Sequence, residues 1–400
     1  MKTFSLRQLA LLATVSAAVL APPAHAAPGF ERCLADLRDA AAARGLARAS
    51  FDRLTGGLEA DMDVVALLDH QPEFRTPIWD YMAGLVDDER VADGRAMLEQ
   101  WRDTLARIET AYGVDAETIV AIWGVESNYG RSFGKRPVVR SLATLSCFGR
   151  RQPFFRGEFL TTLQILEEGH VEPTALVGSW AGAFGHTQFM PSTFMRIAVD
   201  FDGDGRADLM GSVPDALAST ANYLKRSGWR TNEPWGFEVR LPRGFDASGA
   251  GRRNKAALSD WAARGVRRVD GAPLAASGTP AGLLLPAGTD GPAFLVLRNF
   301  DALFSYNAAE SYALAIAHLS DRLRGAGPFV TPWPTDDPGL SRAERRELQA
   351  LLIGRGFDIG EVDGIIGTNT RRAIQDLQRM LGMEPDGRAG RRILDALRGG

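Results

Sequence analysis

The 400-residue sequence is poor in cysteine and has no excess of either charge: two cysteines, 46 basic residues and 49 acidic residues give a net charge of −3. This balance offers no basic excess for binding nucleic acid, and no acidic tail is present. The long apolar run at residues 9–20 is too short for a membrane span, and no later run is long enough. We therefore expect no nucleic-acid partner and no transmembrane segment.

The N-terminus has the features of a cleavable secretory signal. Lys2 and Arg7 flank the start of the apolar run, and the small residues Ala24 and Ala26 offer a cleavage site. Residues 1–26 are thus predicted to be a signal peptide for export to the periplasm. Because the first cysteine is Cys33, none lies at a lipoprotein-type position, and we expect a soluble exported protein.

The two cysteines, Cys33 and Cys147, are a candidate disulfide. In an oxidising compartment such a bond would clip the N-terminal helix onto the core. Two free buried thiols are the alternative, and spacing alone does not distinguish the two states.

Most of the chain has a helical pattern, with one change of texture. Residues 30–112 are mostly helical, with an extended break at residues 71–80, whereas residues 236–241, 281–286 and 293–298 resemble strands. Residues 301–323 return to helix. The predicted fold class is mainly α (α+β), with a small strand-containing insertion in a helical region.

A linker separates the last part of the chain. Residues 325–340 contain four prolines and three glycines, a composition typical of linkers. They divide a large region, residues 27–324, from a small domain, residues 341–400. Three helices are predicted in the small domain, at residues 341–354, 370–381 and 391–397.

Glu126 is the clearest candidate for a catalytic group. Asp115 can cap a helix on which Ile119, Ile122, Trp123 and Glu126 share one face. A carboxyl group therefore lies where an apolar residue is expected, and desolvation would raise its pKa, as a general acid requires. The spacing is equally compatible with a structural glutamate paired with an arginine or with backbone N–H groups.

Four sequence blocks add to this observation. They are WGVESNYG at 123–130, GSWAGAFGHTQFMP at 178–191, DFDGDG at 200–205 and NFDALFSYN at 299–307. Together, in this order, they resemble the B-type lytic murein transglycosylases. Members of that family are periplasmic enzymes with a lysozyme-like helical fold that cleave the glycan strands of peptidoglycan.

The resemblance implies that Glu126 is the sole catalytic carboxyl group. It would protonate the glycosidic oxygen between N-acetylmuramic acid and N-acetylglucosamine, and then accept the proton of the muramoyl C6 hydroxyl as a 1,6-anhydro ring closes. No cofactor is needed for this chemistry. The sequence agrees in one respect, since residues 124–130 contain no other acid.

The same blocks contribute candidate substrate-binding residues. The resemblance implies this role for Ser127, Tyr129, Ser179, Gln188, Tyr306 and Asn307. For Gln188, an amide bonded to its own turn is the alternative, and Asn307 is equally suited to cap a helix. His186 has no Ser, Cys or second His in a suggestive pattern, so we expect an ordinary surface or hydrogen-bonding histidine.

The DFDGDG block also resembles the start of an EF-hand loop. Asp200, Asp202 and Asp204 occupy positions 1, 3 and 5, and the carbonyl of Arg206 falls at position 7. Position 12 is a glycine in place of the usual glutamate, while Asp215 matches the acid that the family supplies from a longer loop. We expect a structural Ca²⁺; a metal-free Asp-Gly turn is the alternative.

The last sixty residues resemble the small helical peptidoglycan-binding domain. The matching segments include GF at 356–357, VDGIIG at 362–367 and residues 370–378. Such a domain would hold an enzyme on the cell wall and raise the local substrate concentration. A stabilising appendage without affinity is the alternative.

These observations predict a lytic transglycosylase acting on peptidoglycan, with proteins of cell-wall synthesis or division as candidate partners. A hydrolytic muramidase of the same fold would use the same glutamate with water in place of the C6 hydroxyl. A non-catalytic peptidoglycan-binding scaffold is the alternative from another class of protein.

Overall fold

A computed structural model describes residues 29–69 and 76–399. The predicted signal peptide at residues 1–26 and residues 71–75 of the predicted break at residues 71–80 lie outside the described residues. Within the described ranges, no helix is long and apolar enough to cross a membrane.

The helical region begins with seven helices. They are α1 (Phe30–Ala43), α2 (Arg48–Thr55), α3 (Met62–Ala66), α4 (Ile78–Leu85), α5 (Asp88–Gln100), α6 (Arg102–Tyr112) and α7 (Ala116–Ser127). Four helices and two short strands follow: β1 (Arg136–Pro137), α8 (Val138–Cys147), α9 (Gln152–Glu167), β2 (Val177–Gly178), α10 (Pro191–Ile197) and α11 (Val213–Arg226).

The rest of the chain contains the insertion and the small domain. The insertion comprises β3 (Gly236–Arg240), β4 (Gly251–Ala257), α12 (Leu258–Ala263), β5 (Arg267–Arg268), β6 (Pro280–Leu284) and β7 (Ala293–Val296). It is followed by α13 (Arg298–Asn307) and α14 (Glu310–Leu323), and the small domain has α15 (Arg342–Gly354), α16 (Thr368–Met380) and α17 (Arg391–Arg398).

Helix α7 lies at the centre of the main core. Ile119, Val120, Ala121 and Ile122 are consecutive and all fully buried, so the helix is surrounded rather than packed on one face. Helices α5, α6, α11 and α14 pack around it. The single apolar face expected from the spacing was therefore too narrow a description, because a central helix is apolar on all sides.

A second core joins α1 to α8 and α9, and a covalent bond fastens it. Cys33 on α1 and Cys147 on α8 form a disulfide, with the Cα atoms 5.8 Å apart. Phe30 stacks on Phe148 beside it, with ring centroids 6.0 Å apart. The N-terminal helix is thus held on the core at the position that the two cysteines suggested.

The insertion is an antiparallel sheet of five strands, in the order β4-β6-β7-β3-β5. The three predicted strands are present with shorter bounds. Strands β4 and β5 and helix α12 were not predicted. Strand β4 is irregular, since its pairing with β6 shifts register between Gly251 and Lys255, and this obscures its period of two.

The predicted linker is a strap that packs against the helical region. The Phe329 ring stacks on His318 of α14 with centroids 3.7 Å apart. The Glu238 carboxylate of β3 accepts the N–H groups of Val330 and Thr331 at 2.8 and 2.7 Å. The proline- and glycine-rich composition thus encodes an extended segment without regular structure, but one with defined contacts.

Candidate active site

Glu126 lies one residue before the C-terminus of α7 and is partly exposed. Tyr312, in the first turn of α14, donates a hydrogen bond from its hydroxyl to Glu126 Oε1. The Tyr312 side chain is almost completely buried, at 2% exposure. Because α7 and α14 are packed together in the core, this contact has a fixed geometry, and it leaves Oε2 to carry a proton.

The surroundings of Glu126 favour its protonated form. Burial raises its pKa to about 8, while the hydrogen bond from Tyr312 acts in the opposite direction. A carboxyl group with this pKa holds its proton near neutral pH and can deliver it to a leaving oxygen. The structure therefore gives Glu126 the property that the sequence suggested, and the cause is desolvation.

Aromatic rings extend from Glu126 in one direction. The Tyr306 ring stacks on the Tyr312 ring with centroids 6.1 Å apart. The centroid of the Tyr223 ring lies 4.7 Å from that of Tyr306. The Tyr306 hydroxyl donates to the Thr187 carbonyl at 2.9 Å, so it fastens the end of α13 to the 178–191 block. Burial and the nearby Glu126 raise the pKa of Tyr306 well above its ordinary value. The rings form an apolar wall beside the carboxyl group.

The helix that carries Tyr306 and Asn307 was placed wrongly from the sequence. Residues 301–323 were predicted to be helical throughout, but Tyr306 and Asn307 end α13, and a separate helix, α14, begins at Glu310. Ala308 has a left-handed backbone with φ of 53°, and its N–H bonds to the Phe304 carbonyl. This break reorients the chain, so that Tyr312 rather than Tyr306 reaches Glu126. In the sequence, Tyr312 stands out in one respect: it is a tyrosine among the apolar residues of α14.

Two predicted binding residues make internal contacts. The Ser127 hydroxyl donates to the His186 carbonyl at 2.8 Å and accepts from the Gly130 N–H at 3.1 Å. The Tyr129 hydroxyl donates to the Arg90 carbonyl at 2.7 Å. Both side chains are buried, and their hydrogen bonds stabilise the turn beside Glu126. Their contact with substrate stays a prediction.

The turn after α7 is held in a sparsely populated conformation. Asn128, Tyr129 and Gly130 have φ of 50°, 59° and 80°, three left-handed residues in succession. At Gly130 a side chain would also collide with the His186 ring. Strain of this kind persists where surrounding contacts over-determine the backbone, and it clusters at functional sites.

His186 is a buried, hydrogen-bonded histidine and not a surface one. Its Nδ1 accepts a hydrogen bond from Trp123 Nε1 at 2.9 Å, and the ring packs against Phe133 with centroids 4.7 Å apart. Burial lowers its pKa to about 4, so the ring is neutral at physiological pH and serves as a fixed acceptor.

Ser179 and Gln188 lie in the loop between β2 and α10, and both are partly exposed. The Ser179 hydroxyl accepts the Ala183 N–H at 3.0 Å. Gln188 has a left-handed φ of 49° and donates its amide to the carbonyls of Gly185 and Phe133, at 2.9 and 3.2 Å. The bond to its own turn is therefore present, and the amide oxygen is left for another donor. Asn307, at the end of α13, is exposed.

The carboxylates of Asp200, Asp202 and Asp204 converge, with oxygens within 4.8 Å of one another. Three such oxygens suit a hard cation. Asp215 is not in this cluster: its carboxylate is buried and accepts the N–H groups of Phe201 and Asp208, at 2.7 and 2.9 Å. Asp215 therefore stabilises the loop through hydrogen bonds to its backbone N–H groups and does not add a ligand to the cluster. The Arg206 N–H bonds to Asp204 at 2.8 Å.

A partly exposed glutamate lies at the end of a buried helix beside a wall of tyrosine rings, and burial raises its pKa to about 8, an arrangement suited to a general acid. Residues 29–321 match the transglycosylase SLT domain family and residues 341–397 match the peptidoglycan-binding domain family. The chain therefore belongs to the transglycosylase SLT domain family. The resemblance to lytic murein transglycosylases and the predicted mainly helical fold class are confirmed.

Known relatives agree with this assignment. Membrane-bound lytic murein transglycosylase B of Escherichia coli is 37% identical over 245 residues, a match that covers 60% of this chain and 65% of that relative. The crystal structure of SltB3 from Pseudomonas aeruginosa in complex with NAG-anhNAM-pentapeptide has 49% identity and a TM-score of 0.75, covering 93% of this chain and 100% of that one. Escherichia coli Slt35 in complex with calcium has 32% identity and a TM-score of 0.64, covering 74% and 93%.

Proposed function

We propose that the protein is a lytic transglycosylase that cleaves the MurNAc-GlcNAc β-1,4 bond of peptidoglycan and forms 1,6-anhydro-MurNAc. The observation that carries this proposal is the placement of Glu126: its carboxyl group lies at the end of the buried helix α7 and accepts the hydrogen bond of the buried Tyr312. Among the described residues, desolvation and Tyr312 account for the shift of its pKa, and no second carboxylate contributes. Most glycosidases need two carboxyl groups, whereas one acid that later acts as base suffices when the nucleophile belongs to the substrate.

The reaction follows from this single group. Glu126 donates its proton to the glycosidic oxygen as the C1–O bond breaks, and the released sugar leaves with a hydroxyl group. The Glu126 carboxylate, held by Tyr312, then accepts the proton of the muramoyl C6 hydroxyl while O6 bonds to C1. The acid is regenerated, and no water is consumed. SltB3, the relative solved with NAG-anhNAM-pentapeptide, supports this product.

Product masses test the proposal. Digestion of purified sacculi by the protein is expected to release muropeptides whose masses are lower by one water than those of hydrolytic products. Products with ordinary reducing ends would instead identify a hydrolytic muramidase. The absence of any released glycan under conditions in which a control muramidase digests the same sacculi would favour a non-catalytic scaffold.

The C-terminal domain supports a role at the cell wall. Its three helices enclose their own core, with Leu348, Leu352, Ile374 and Leu394 fully buried, and its match to the peptidoglycan-binding family spans the whole segment. We infer that it retains the enzyme on peptidoglycan after export to the periplasm by the signal peptide at residues 1–26. Proteins of cell-wall synthesis or division remain proposed partners.

We propose that the Asp200–Asp204 loop binds a structural Ca²⁺. Its carboxylates converge, and a related structure, Slt35, contains calcium. We expect millimolar Ca²⁺ to raise the thermal midpoint of the wild type, since a ligand present at 100 times its Kd adds roughly 2.7 kcal/mol. Asp204→Asn should abolish the rise. Asp290→Asn, at an exposed aspartate, is the control and should show the same Ca²⁺-induced rise in thermal midpoint as the wild type. If the Asp204→Asn variant also shows this rise, the ion binds elsewhere.

A further inference from the structure

The small C-terminal domain contacts the turn that follows the catalytic glutamate. Arg342, the first residue of α15, donates from Nη1 to the Asn128 side-chain oxygen at 2.8 Å. Asn128 caps the end of α7 and lies two residues after Glu126. A residue of the wall-binding domain therefore reaches the element that carries the general acid.

Arg342 is itself held in a fixed position. Its Nε and Nη2 donate to Asp87 at 3.0 and 3.1 Å, and its backbone N–H donates to the same carboxylate at 3.0 Å. The two side chains are 12% and 5% exposed. Asp87 also accepts the Arg90 N–H at 2.7 Å as the cap of α5. Because this pair is buried and its donors and acceptors are satisfied, the guanidinium group has little freedom.

The turn needs contacts of this kind. Asn128 and Tyr129 are non-glycine residues held in the left-handed conformation, which costs free energy, and separate contacts stabilise different parts of the turn. The Tyr129 hydroxyl bonds to the Arg90 carbonyl at 2.7 Å, and the Arg90 guanidinium bonds to the Gly124 carbonyl within α7. The contact at the Asn128 side chain comes from Arg342, outside the catalytic region.

We propose that Arg342 is a positioning residue for the reaction: through Asn128 it holds the turn after α7, so that the docked C-terminal domain helps to orient Glu126 in addition to binding the wall. The proposal rests on the proposed transglycosylase function. It makes catalytic turnover depend on domain docking even for substrates that the C-terminal domain does not hold.

Other contacts dock the same domain without touching the turn. Arg388 forms a bidentate pair with Asp80 at 2.7 Å for both bonds. Arg346, one turn after Arg342 on α15, pairs with Glu89 at 2.6 Å, and both side chains are well exposed. Arg346→Ala is therefore a matched control, since it removes an interdomain ion pair from the same helix and leaves Asn128 alone.

The test is a double-mutant cycle in the full-length protein, with soluble peptidoglycan fragments as substrate and sacculus binding as a separate readout. Arg342→Ala is expected to lower kcat by roughly 5- to 20-fold, the equivalent of about 1–1.8 kcal/mol, with KM within about twofold. Asn128→Gly, which keeps the left-handed backbone, should produce a similar loss. If the two act through one contact, the double variant should be no worse than Arg342→Ala.

Arg346→Ala should retain wild-type kcat, and all variants should bind sacculi as the wild type does. Arg342→Lys is the substitute if Arg342→Ala does not fold. Lysine keeps a positive charge for Asp87 but cannot bond to Asp87 and Asn128 as the guanidinium group does, so it should show the same loss of kcat. The proposal is overturned if Arg342→Ala and Arg342→Lys keep wild-type kcat, if the losses are additive, or if Arg346→Ala loses as much. A wild type that yields no anhydro products would instead refute the proposed function.

Discussion

Glu126→Gln is expected to abolish glycan cleavage, with kcat reduced by roughly 10³-fold or more. General acid–base catalysis by one group is worth about 10²–10⁴-fold, and here a single group is proposed to serve in both proton transfers. Glutamine has nearly the same shape and can still accept the hydrogen bond from Tyr312, but it cannot deliver a proton. The measurement is the rate of release of anhydro-muropeptides from sacculi.

A carboxyl group on the same helix provides the matched control for this prediction. Glu117, in the first turn of α7, is partly exposed and 3.7 Å from Arg324, and Glu117→Gln should retain wild-type activity. Glu126→Gln should also bind sacculi normally, since the C-terminal domain is unchanged. An active Glu126→Gln variant would show that another group supplies the proton.

The same substitution should change the pH dependence of stability. Folding raises the pKa of Glu126 from 4.5 to about 8, so the folded state binds the proton more tightly than the unfolded state. The stability that Glu126 contributes to the wild type is therefore present below about pH 4.5 and is lost as pH rises to about 8. Glu126→Gln removes this loss, and its thermal midpoint should exceed that of the wild type at pH 8–9 by roughly 2–4 °C, for a gain of about 1 kcal/mol, and not at pH 4.

Tyr312→Phe is expected to lower kcat by roughly 10- to 100-fold. A hydrogen bond to a charged group is worth about 1.5–3 kcal/mol, and the Tyr312 hydroxyl is directed at the Glu126 carboxylate that forms when the proton leaves. Phenylalanine keeps the buried ring and its stacking against Tyr306. The fold should therefore be unaffected while the carboxylate loses its donor.

The pH profile distinguishes this role from a packing role. The hydrogen bond lowers the pKa of Glu126 against the effect of burial, so its removal should raise that pKa further and move the alkaline limb of kcat/KM to higher pH. Tyr112→Phe, at a half-buried tyrosine on α6, should alter neither rate nor profile. A Tyr312→Phe variant with reduced kcat but an unmoved alkaline limb would assign the tyrosine to packing alone.

Local patterns were sufficient to find several parts of the site. The Asp115 cap and the helical spacing located α7 and its glutamate, because capping and periodicity depend on residues close in the chain. The alternating aspartates predicted a converging loop, and the carboxylates do converge. The partner of Glu126 could not be found in this way. Tyr312 lies 186 residues away in sequence, and its approach depends on a left-handed residue at Ala308 that no local pattern indicated.

By itself, the sequence determined the helical class, the linker position, the carboxyl group and the two cysteines, since each depends on short-range preference or on residue chemistry. Only the tertiary structure decided that α7 is buried on all sides, that Asp215 accepts backbone hydrogen bonds of the Asp200–Asp204 loop and does not join its carboxylates, and that Arg342 reaches Asn128. These features arise from the packing of distant segments. The pKa of Glu126 belongs with them, because desolvation is a property of everything that surrounds a group and not of its own segment.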